Sequence, residues 1–143
     1  RQKAVYEAVN HVKKEATKLL VPGVLWTDYH IEVGKIMTDQ LVKLKLLDKS
    51  DIQNENPDWP AYKKYFMHGT SHHLGLDTHD YGLIHEPITS NMVFTVEPGI
   101  YIPEEGFGIR LEDNVVVLEQ GEPLNLMENI PIEAEEIEDL MNS

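Results

Sequence analysis

Apolar residues at helical spacing open the chain. From Gln2 to Leu20 they recur at steps of three and four residues, and no Gly or Pro interrupts them. This spacing predicts an amphipathic helix. Pro22-Gly23 break the pattern, and a second run with similar spacing reaches Leu46, with Thr27 or Asp28 as the predicted N-cap. The apolar positions of the two predicted helices are Val5, Ala8, Val9, Val12, Ala16, Leu19, Leu20, Ile31, Val33, Ile36, Met37, Leu41, Val42 and Leu46.

The second part of the chain has strand-like patterning. Residues 47–59 are polar and rich in turn formers, which predicts a surface loop, and Pro60 suits the start of a short helical segment reaching Tyr65. Apolar or β-branched runs separated by turn residues then predict strands at Met92 to Glu97, Ile109 to Leu118 and Leu124 to Met127. An acidic run at 131–143 predicts a short closing helix with a solvated face. Helices followed by antiparallel strands predict the α+β class.

Size and charge narrow the classes of partner. The 143 residues suit a single domain, 1–143, and no apolar run approaches the roughly 20 residues that a membrane-spanning helix needs. The net charge of −13 repels phosphate backbones and anionic membrane surfaces, so we expect neither a nucleic-acid partner nor a membrane partner. Because the chain has no cysteine, any metal ligands must be imidazole and carboxylate groups.

The chain begins Arg-Gln-Lys-Ala, with no initiator Met and no secretory leader. We therefore expect it to be the later part of a longer protein. Separately, we expect a cytoplasmic location.

Four of the seven histidines lie between residues 68 and 80. His68 and His72 share a face in either a helix or a strand, and the Gly, Thr and Ser residues around them favour an extended segment. His79 has the opposite parity, so it joins the same site only if the chain bends, for which Gly75 is the candidate position. Packed or surface histidines are the alternative interpretation.

Two later segments offer carboxylates on strands. Glu97 ends an apolar strand just before Pro-Gly, and it shares a face with Val93 and Thr95. Alternation places Arg110 and Glu112 on one face of the next strand. Each has a structural alternative: Glu97 as a strand-end charge in solvent, and Arg110 with Glu112 as an outward ion pair worth about 0–1 kcal/mol.

One imidazole and two carboxylates on separate strands form a donor set that suits Mn²⁺, Co²⁺, Zn²⁺ or Fe²⁺. Paired metal ions lower the pKa of a shared water and so supply a hydroxide nucleophile at neutral pH. Carboxylates can bridge two cations, and nearby histidines could donate protons or hydrogen bonds to the scissile group.

Together these segments resemble the aminopeptidase P and prolidase branch of the pita-bread metallopeptidases, whose fold is shared with methionine aminopeptidase and creatinase. The matching motifs appear in order as His68-Gly-Thr-Ser-His72-His-Leu-Gly-Leu-Asp-Thr-His79-Asp80, Thr95-Val-Glu97-Pro-Gly-Ile-Tyr101 and Gly108-Ile-Arg110-Leu-Glu112-Asp. The likeness extends through both predicted helices. It implies the α+β fold of the later half of a pita-bread domain, with helices packed on a curved antiparallel sheet.

The resemblance also implies roles for particular residues. His72 and Glu97 would bind one of two divalent metals, Glu112 would bridge both, and Glu97 would also assist the attacking hydroxide. His68 and His79 look like the family's histidines that contact substrate and stabilise the tetrahedral intermediate. Arg110 looks like the family's arginine that contacts the metal-binding side chains without binding the metal itself. His73 and His85 are expected to be structural and surface residues, respectively.

The family's site also uses two aspartates on a hairpin before the first helix, and no such segment precedes Arg1 in this sequence. With three of five expected ligands, we expect residues 1–143 alone to bind metal weakly and to be inactive. The missing strands would leave sheet edges either exposed or paired between copies, and pairing between copies would make the protein a homo-oligomer.

For the parent protein the resemblance implies a metal-dependent Xaa-Pro aminopeptidase, which hydrolyses the bond before a proline at the second position of peptides. Such an enzyme uses two metal ions, and we expect Mn, with Co or Zn as alternatives. An Xaa-Pro dipeptidase (prolidase) and a catalytically dead member of the fold used as a binding module are the alternatives.

Overall fold

The computed structural model describes residues 1–143, which form helices followed by antiparallel strands, so the predicted α+β class is confirmed. The helices are α1 (Gln2–Lys18), α2 (Trp26–Lys43), α3 (Lys49–Gln53) and α4 (Ala134–Asn142), with short 3-10 turns at Ala61–Lys64 and Pro103–Glu105. The strands are β1 (Val93–Val96), β2 (Gly99–Ile102), β3 (Phe107–Arg110), β4 (Asp113–Val116) and β5 (Leu124–Asn125). None of these helices combines the length and the apolar character that crossing a bilayer requires.

The two long helices form where the apolar spacing predicts them, but the predicted cap of α2 is wrong. The N-cap is Leu25, which has an extended backbone and makes an isolated β-bridge with Pro87. Because this bridge holds Leu25 extended, the helix starts at the next residue. Thr27 and Asp28 therefore lie inside the first turn, where the Asp28 carboxylate is favourable near the positive end of the helix dipole.

A short helix, α3, lies within the predicted loop at 47–59. The Asp48 side chain accepts hydrogen bonds from the backbone N–H groups of Ser50 and Asp51, and the Asp51 side chain accepts one from the N–H of Asp48. This reciprocal capping box satisfies N–H groups that a helix start leaves unpaired, which explains how a helix of only five residues persists.

Strands β1 to β4 form one long hairpin with a break in its middle. β1 pairs antiparallel with β4 and β2 pairs antiparallel with β3, and both ladders follow the same register, with Val96 opposite Asp113 and Gly99 opposite Arg110. The single strand predicted at 109–118 is therefore wrong, because it consists of two strands in two sheets. The break lies at Pro98, which has no N–H to donate, and across it the Leu111 N–H donates to the Pro98 carbonyl at 3.3 Å.

The hydrophobic core lies between the helices and one face of the sheet. The inward residues are Phe94 and Val96 of β1, Val115 of β4 and Val117 directly after β4, all fully buried. They belong to the same buried cluster as the apolar stripe of α1 and α2, which includes Val5, Val9, Val12, Val33, Met37 and Leu41. The opposite face of the sheet is thus left for polar side chains.

An extended stretch of the histidine-rich region pairs with the free side of β1. In this edge segment (residues 70–74) His73 bridges Phe94, the Thr95 N–H donates to the His72 carbonyl at 3.1 Å, and the Glu97 N–H donates to the Thr70 carbonyl at 2.7 Å. The extended conformation predicted around His72 is therefore what the chain adopts there. It brings His72 beside the strand that ends at Glu97.

The closing acidic run forms α4, whose charged side chains are exposed. Lys3 of α1 lies 3.0 Å from Glu135 and 3.1 Å from Glu138, and Lys14 of α1 pairs with Glu133. The neighbouring ammonium groups lower the pKa of Glu133 and of Glu135. These exposed pairs orient α4 on α1 and contribute little stability individually.

The 3-10 turn that leads into the histidine region packs on α2 through Tyr62 and Gly34. A Cβ on Gly34 would lie 2.6 Å from Tyr62 Cε1. Glycine in a helix interior normally costs about 1 kcal/mol relative to alanine, so this glycine is kept for the close approach.

We predict that Gly34→Ala lowers the free energy of unfolding by about 1–2 kcal/mol, because the tyrosine ring must move. In a Tyr62→Ala background the same change should become stabilising by about 1 kcal/mol, because only the helix propensity remains. Urea unfolding of the wild type, the two single variants and the double variant measures the change in the free energy of unfolding that Gly34→Ala causes in each background. A stabilising effect of Gly34→Ala in the wild-type background would show that Tyr62 imposes no constraint.

Candidate metal centre

The shared register of the long hairpin sets two carboxylates against each other. Continuing the pairing between Val96 with Asp113 and Gly99 with Arg110 places Glu97 opposite Glu112. Directly opposed residues project to the same face of a sheet, with Cβ atoms about 4.5–5.5 Å apart. This is the face that does not pack on the helices. The break in the ladder therefore coincides with a pair of like charges.

His72 approaches this pair from the edge segment. Its Nε2 atom lies 3.2 Å from Glu97 Oε1. Its backbone N–H donates to Thr95 Oγ1 at 3.1 Å, and the Thr95 hydroxyl lies 3.4 Å from the same Glu97 oxygen. The threonine thus connects the backbone of the histidine to the carboxylate of the glutamate.

Arg110 lies against both carboxylates. Its Nη1 donates to Glu97 Oε2 at 3.1 Å, and its Nη2 lies 3.4 Å from Glu112 Oε2. The side chain of Glu97 is 13% exposed, whereas that of Arg110 is 50% exposed. The guanidinium therefore offsets part of the repulsion between the glutamates from the solvent side and holds both in one orientation.

The donor atoms of His72, Glu97 and Glu112 suit a metal ion. One ligand atom from each residue lies within 4.8 Å of the others. His72 Nδ1 lies 2.9 Å from the His73 carbonyl, which can only accept, so Nδ1 donates its proton there and Nε2 is the ring atom directed at Glu97. A lone pair and a carboxylate oxygen repel at this distance unless a proton or a cation lies between them. Nitrogen and oxygen donors fit a hard or borderline divalent ion.

His68 is held by an aromatic partner, Tyr101, and is not one of the three clustered residues. Its Nε2 accepts a hydrogen bond from the Tyr101 hydroxyl at 2.7 Å, and its Nδ1 donates to the Gly69 carbonyl at 2.9 Å. These contacts fix the neutral tautomer. Burial raises the pKa of Tyr101, so the phenol remains the donor at neutral pH.

His79 reaches His72 through a tight turn. The two imidazole rings meet edge to face, with centroids 4.4 Å apart. The Asp80 carboxylate accepts hydrogen bonds from the N–H groups of Leu76 and Tyr81, at 2.9 and 2.8 Å. A Cβ on Gly75 would overlap that carboxylate sterically. The glycine predicted to let the chain bend therefore also makes room for Asp80.

Two further histidines of this region, His73 and His85, are not part of the cluster of donor atoms. His73 stacks on Trp26, with ring centroids 5.7 Å apart, and packs against Phe94, and burial lowers its pKa. His85 is exposed in the loop that follows His79. Both placements agree with the structural and surface interpretations of these residues.

Sequence reasoning assigned no role to Tyr101 or Thr95, although both belong to a motif that it identified. A Cβ on Gly99 would lie 2.7 Å from Tyr101 Oη, and one on Gly108 would lie 2.6 Å from Tyr101 Cδ1. The two glycines therefore make room for the tyrosine ring. An aromatic residue two positions after a glycine, opposite a second glycine, was the available signal.

Residues 1–119 match the model of metallopeptidase family M24. The chain belongs to this family.

Its M24 relatives include the Xaa-Pro aminopeptidases of Haemophilus influenzae and Escherichia coli, each 40% identical to this chain over 99% and 98% of its length. Among solved structures, the aminopeptidase PepP of Pseudomonas aeruginosa and E. coli aminopeptidase P with the inhibitor Pro-Leu each superpose with a TM-score of 0.85 over 99% of this chain, at 35% and 37% identity. The resemblance to this branch, and with it the predicted pita-bread fold, is confirmed.

The M24 chain spans about a third of these relatives, covering 35% and 34% of the two enzymes and 34% of each solved chain. The match includes all three motifs, since it extends from the first helix past Glu112. The family is one of metallopeptidases, so a divalent metal at the cluster agrees with the family assignment.

We predict that Gly108→Ala displaces the Tyr101 ring and breaks its hydrogen bond to His68, lowering the free energy of unfolding by about 1–3 kcal/mol. The chemical shift of His68 Nε2 in a nitrogen NMR spectrum measures the hydrogen bond directly.

The matched control is Gly69→Ala, whose Cβ would lie 3.5 Å from His30 Nε2, an ordinary contact. This variant should leave the His68 Nε2 signal in place. An unchanged His68 Nε2 signal in Gly108→Ala would contradict the assigned role of the glycine.

Proposed function

We propose that this chain supplies His72, Glu97 and Glu112 to the metal site of an Xaa-Pro aminopeptidase, in which residues 1–143 are the C-terminal portion of the catalytic peptidase domain. The observation that carries the proposal is the convergence of one imidazole and two carboxylates within 4.8 Å. The names of the 40% identical relatives support the reaction and the proline specificity.

The metal is proposed to be a pair of divalent ions, with Mn²⁺ preferred and Co²⁺ or Zn²⁺ as alternatives. The nitrogen and oxygen donors support this choice, and one E. coli aminopeptidase P structure is described as zinc-substituted. Bound divalent ions polarise a peptide carbonyl and generate a nucleophile from water at neutral pH. The resemblance implies two further aspartate ligands, which would come from a part of the protein outside residues 1–143.

The residues of the cluster would act in distinct ways. His72 keeps its Nε2 lone pair available because its Nδ1 proton is donated to the His73 carbonyl. Glu97 and Glu112 would hold the metal ions through carboxylate oxygens, with Glu112 as the ligand that the two ions would share, and Glu97 would also accept the proton of the attacking water. Arg110 limits the repulsion between the two glutamates, through contacts of 3.1 and 3.4 Å.

His68 and His79 would contact the substrate, a peptide with proline at the second position. His79 is exposed next to His72, so its ring can donate a hydrogen bond to a carbonyl oxygen in the site. His68 is held in one tautomer by Tyr101 and Gly69, so its orientation needs no rearrangement when a peptide binds. The cytoplasmic location and the homo-oligomeric state stay predictions.

The test uses the full-length protein that contains this sequence. After chelation the protein should release no N-terminal residue from Xaa-Pro-Yaa-Yaa, and Mn²⁺ should restore the release. Glu112→Gln should abolish metal binding measured by calorimetry and should lower kcat/KM at least a hundredfold, because the bridging carboxylate is lost. His85→Gln, at an exposed histidine outside the cluster, is the control and should match the wild type.

Three outcomes would contradict parts of the proposal. A strict preference for the dipeptide Xaa-Pro over Xaa-Pro-Yaa-Yaa would identify a prolidase. Bound metal without hydrolysis of either peptide would favour a binding module of the same fold. Wild-type metal affinity in Glu112→Gln would exclude the proposed ligand.

A further inference from the structure

A buried ion pair joins α1 to the strand that follows Glu112. Lys13 Nζ lies 2.5 Å from Asp113 Oδ2, and the two side chains are only 3% and 11% exposed. Asp113 is the first residue of β4 and the immediate neighbour of Glu112. None of the other ion pairs of the chain is buried on both sides; for example, the side chains of Lys14 and Glu133 are about half exposed.

Stability alone does not account for this pair. Removing two charges from water is expensive, and apolar residues of similar volume are often at least as stabilising in such a place. What an ion pair adds over an apolar contact is direction, because the ammonium and the carboxylate must meet at one distance and orientation.

Asp113 is also held from the other side of β4. Asn125 of β5 donates its side-chain N–H to the same Asp113 oxygen at 2.8 Å, and the Met127 N–H donates to Asn125 Oδ1 at 2.8 Å. Asn125 is paired with Val115 in the sheet. The carboxylate of Asp113 is therefore fixed by a helix and by a neighbouring strand at the same time.

The position of the pair matters because the sheet is interrupted next to it. The β1–β4 pairing begins at Asp113 and the β2–β3 pairing ends at Arg110, so Glu112 lies in the gap between two ladders. Successive side chains of a strand point to opposite faces. Asp113 points toward α1, and the orientation of its backbone determines where Glu112 points on the other face.

We propose that Lys13 and Asp113 are positioning residues for the metal centre: their buried ion pair fixes the rotation of the chain at the start of β4 and so aims the Glu112 carboxylate at His72 and Glu97. This inference rests on the proposed role of Glu112 as a metal ligand. It gives α1, which contributes no metal ligand, a role in orienting the side chain of Glu112.

The test compares full-length proteins prepared without metal. The key variant is Lys13→Met/Asp113→Asn, which removes both charges while keeping similar volume, so that no unpaired charge is left buried. We expect it to fold with a melting temperature close to that of the wild type. Its affinity for Mn²⁺, measured by calorimetry, should fall about tenfold, and the visible absorption spectrum of its Co²⁺ form should change.

Lys14→Met is the matched control, because it removes the next lysine of the same helix and breaks the exposed pair with Glu133. It should keep wild-type metal affinity and the wild-type Co²⁺ spectrum. If Lys13→Met/Asp113→Asn does not fold, the same measurements are made on Lys13→Gln/Asp113→Leu. This second double variant also replaces both charged residues with neutral ones.

A folded variant without the ion pair that keeps wild-type Mn²⁺ affinity and the wild-type Co²⁺ spectrum would overturn the inference. Failure of the proposed function has a different signature, since the wild-type protein would then bind no Mn²⁺, or Glu112→Gln would bind it as tightly as the wild type. The two failures are therefore distinguishable.

Discussion

The negatively charged side chains of Glu97 and Glu112 face each other across an antiparallel hairpin. The side chains around them are placed so that the two carboxylates can lie close together despite their repulsion. Like charges directly opposite in a sheet are destabilising. Here the cost is offset by the guanidinium of Arg110, which lies 3.1 Å from Glu97 Oε2 and 3.4 Å from Glu112 Oε2. The helices pack on the opposite face of the same strands. The apolar core therefore holds the strands in place, and the polar face carries the side chains of the site.

Much of this arrangement could be predicted because it depends on local periodicity. The apolar spacing of α1 and α2 specifies which face is buried, and alternation along the strands places Thr95 and Glu97 on the face opposite to Phe94 and Val96. The glycine and hydroxyl residues around His72 indicated an extended segment. The candidate ligands followed from the spacing of the motifs and from the resemblance that these motifs carry.

What could not be predicted depends on contacts between distant parts of the chain. Alternation alone joins Ile109 to Leu118 in one strand, and only the partner strand, through Pro98, shows that the ladder breaks at Glu112. The hydrogen bond between His68 and Tyr101 spans 33 residues, and the pair of Lys13 and Asp113 spans 100. The ion pair has no local signal, since a lysine on a helix is ordinarily an exposed residue. The glycines near Tyr101 indicate that its ring needs room, but not that its hydroxyl contacts His68.

The Asp80 turn has a consequence for how relatives of this protein can diverge. Its backbone is closed by hydrogen bonds from Leu76 and Tyr81 to a single carboxylate, while the side chains of those two residues extend almost entirely into solvent. The fold therefore imposes almost no packing requirement on their chemical character. Because the hydrogen bonds to Asp80 come from backbone N–H groups, substitutions at positions 76 and 81 can change the surface of the turn that carries His79 and keep the contacts that close it.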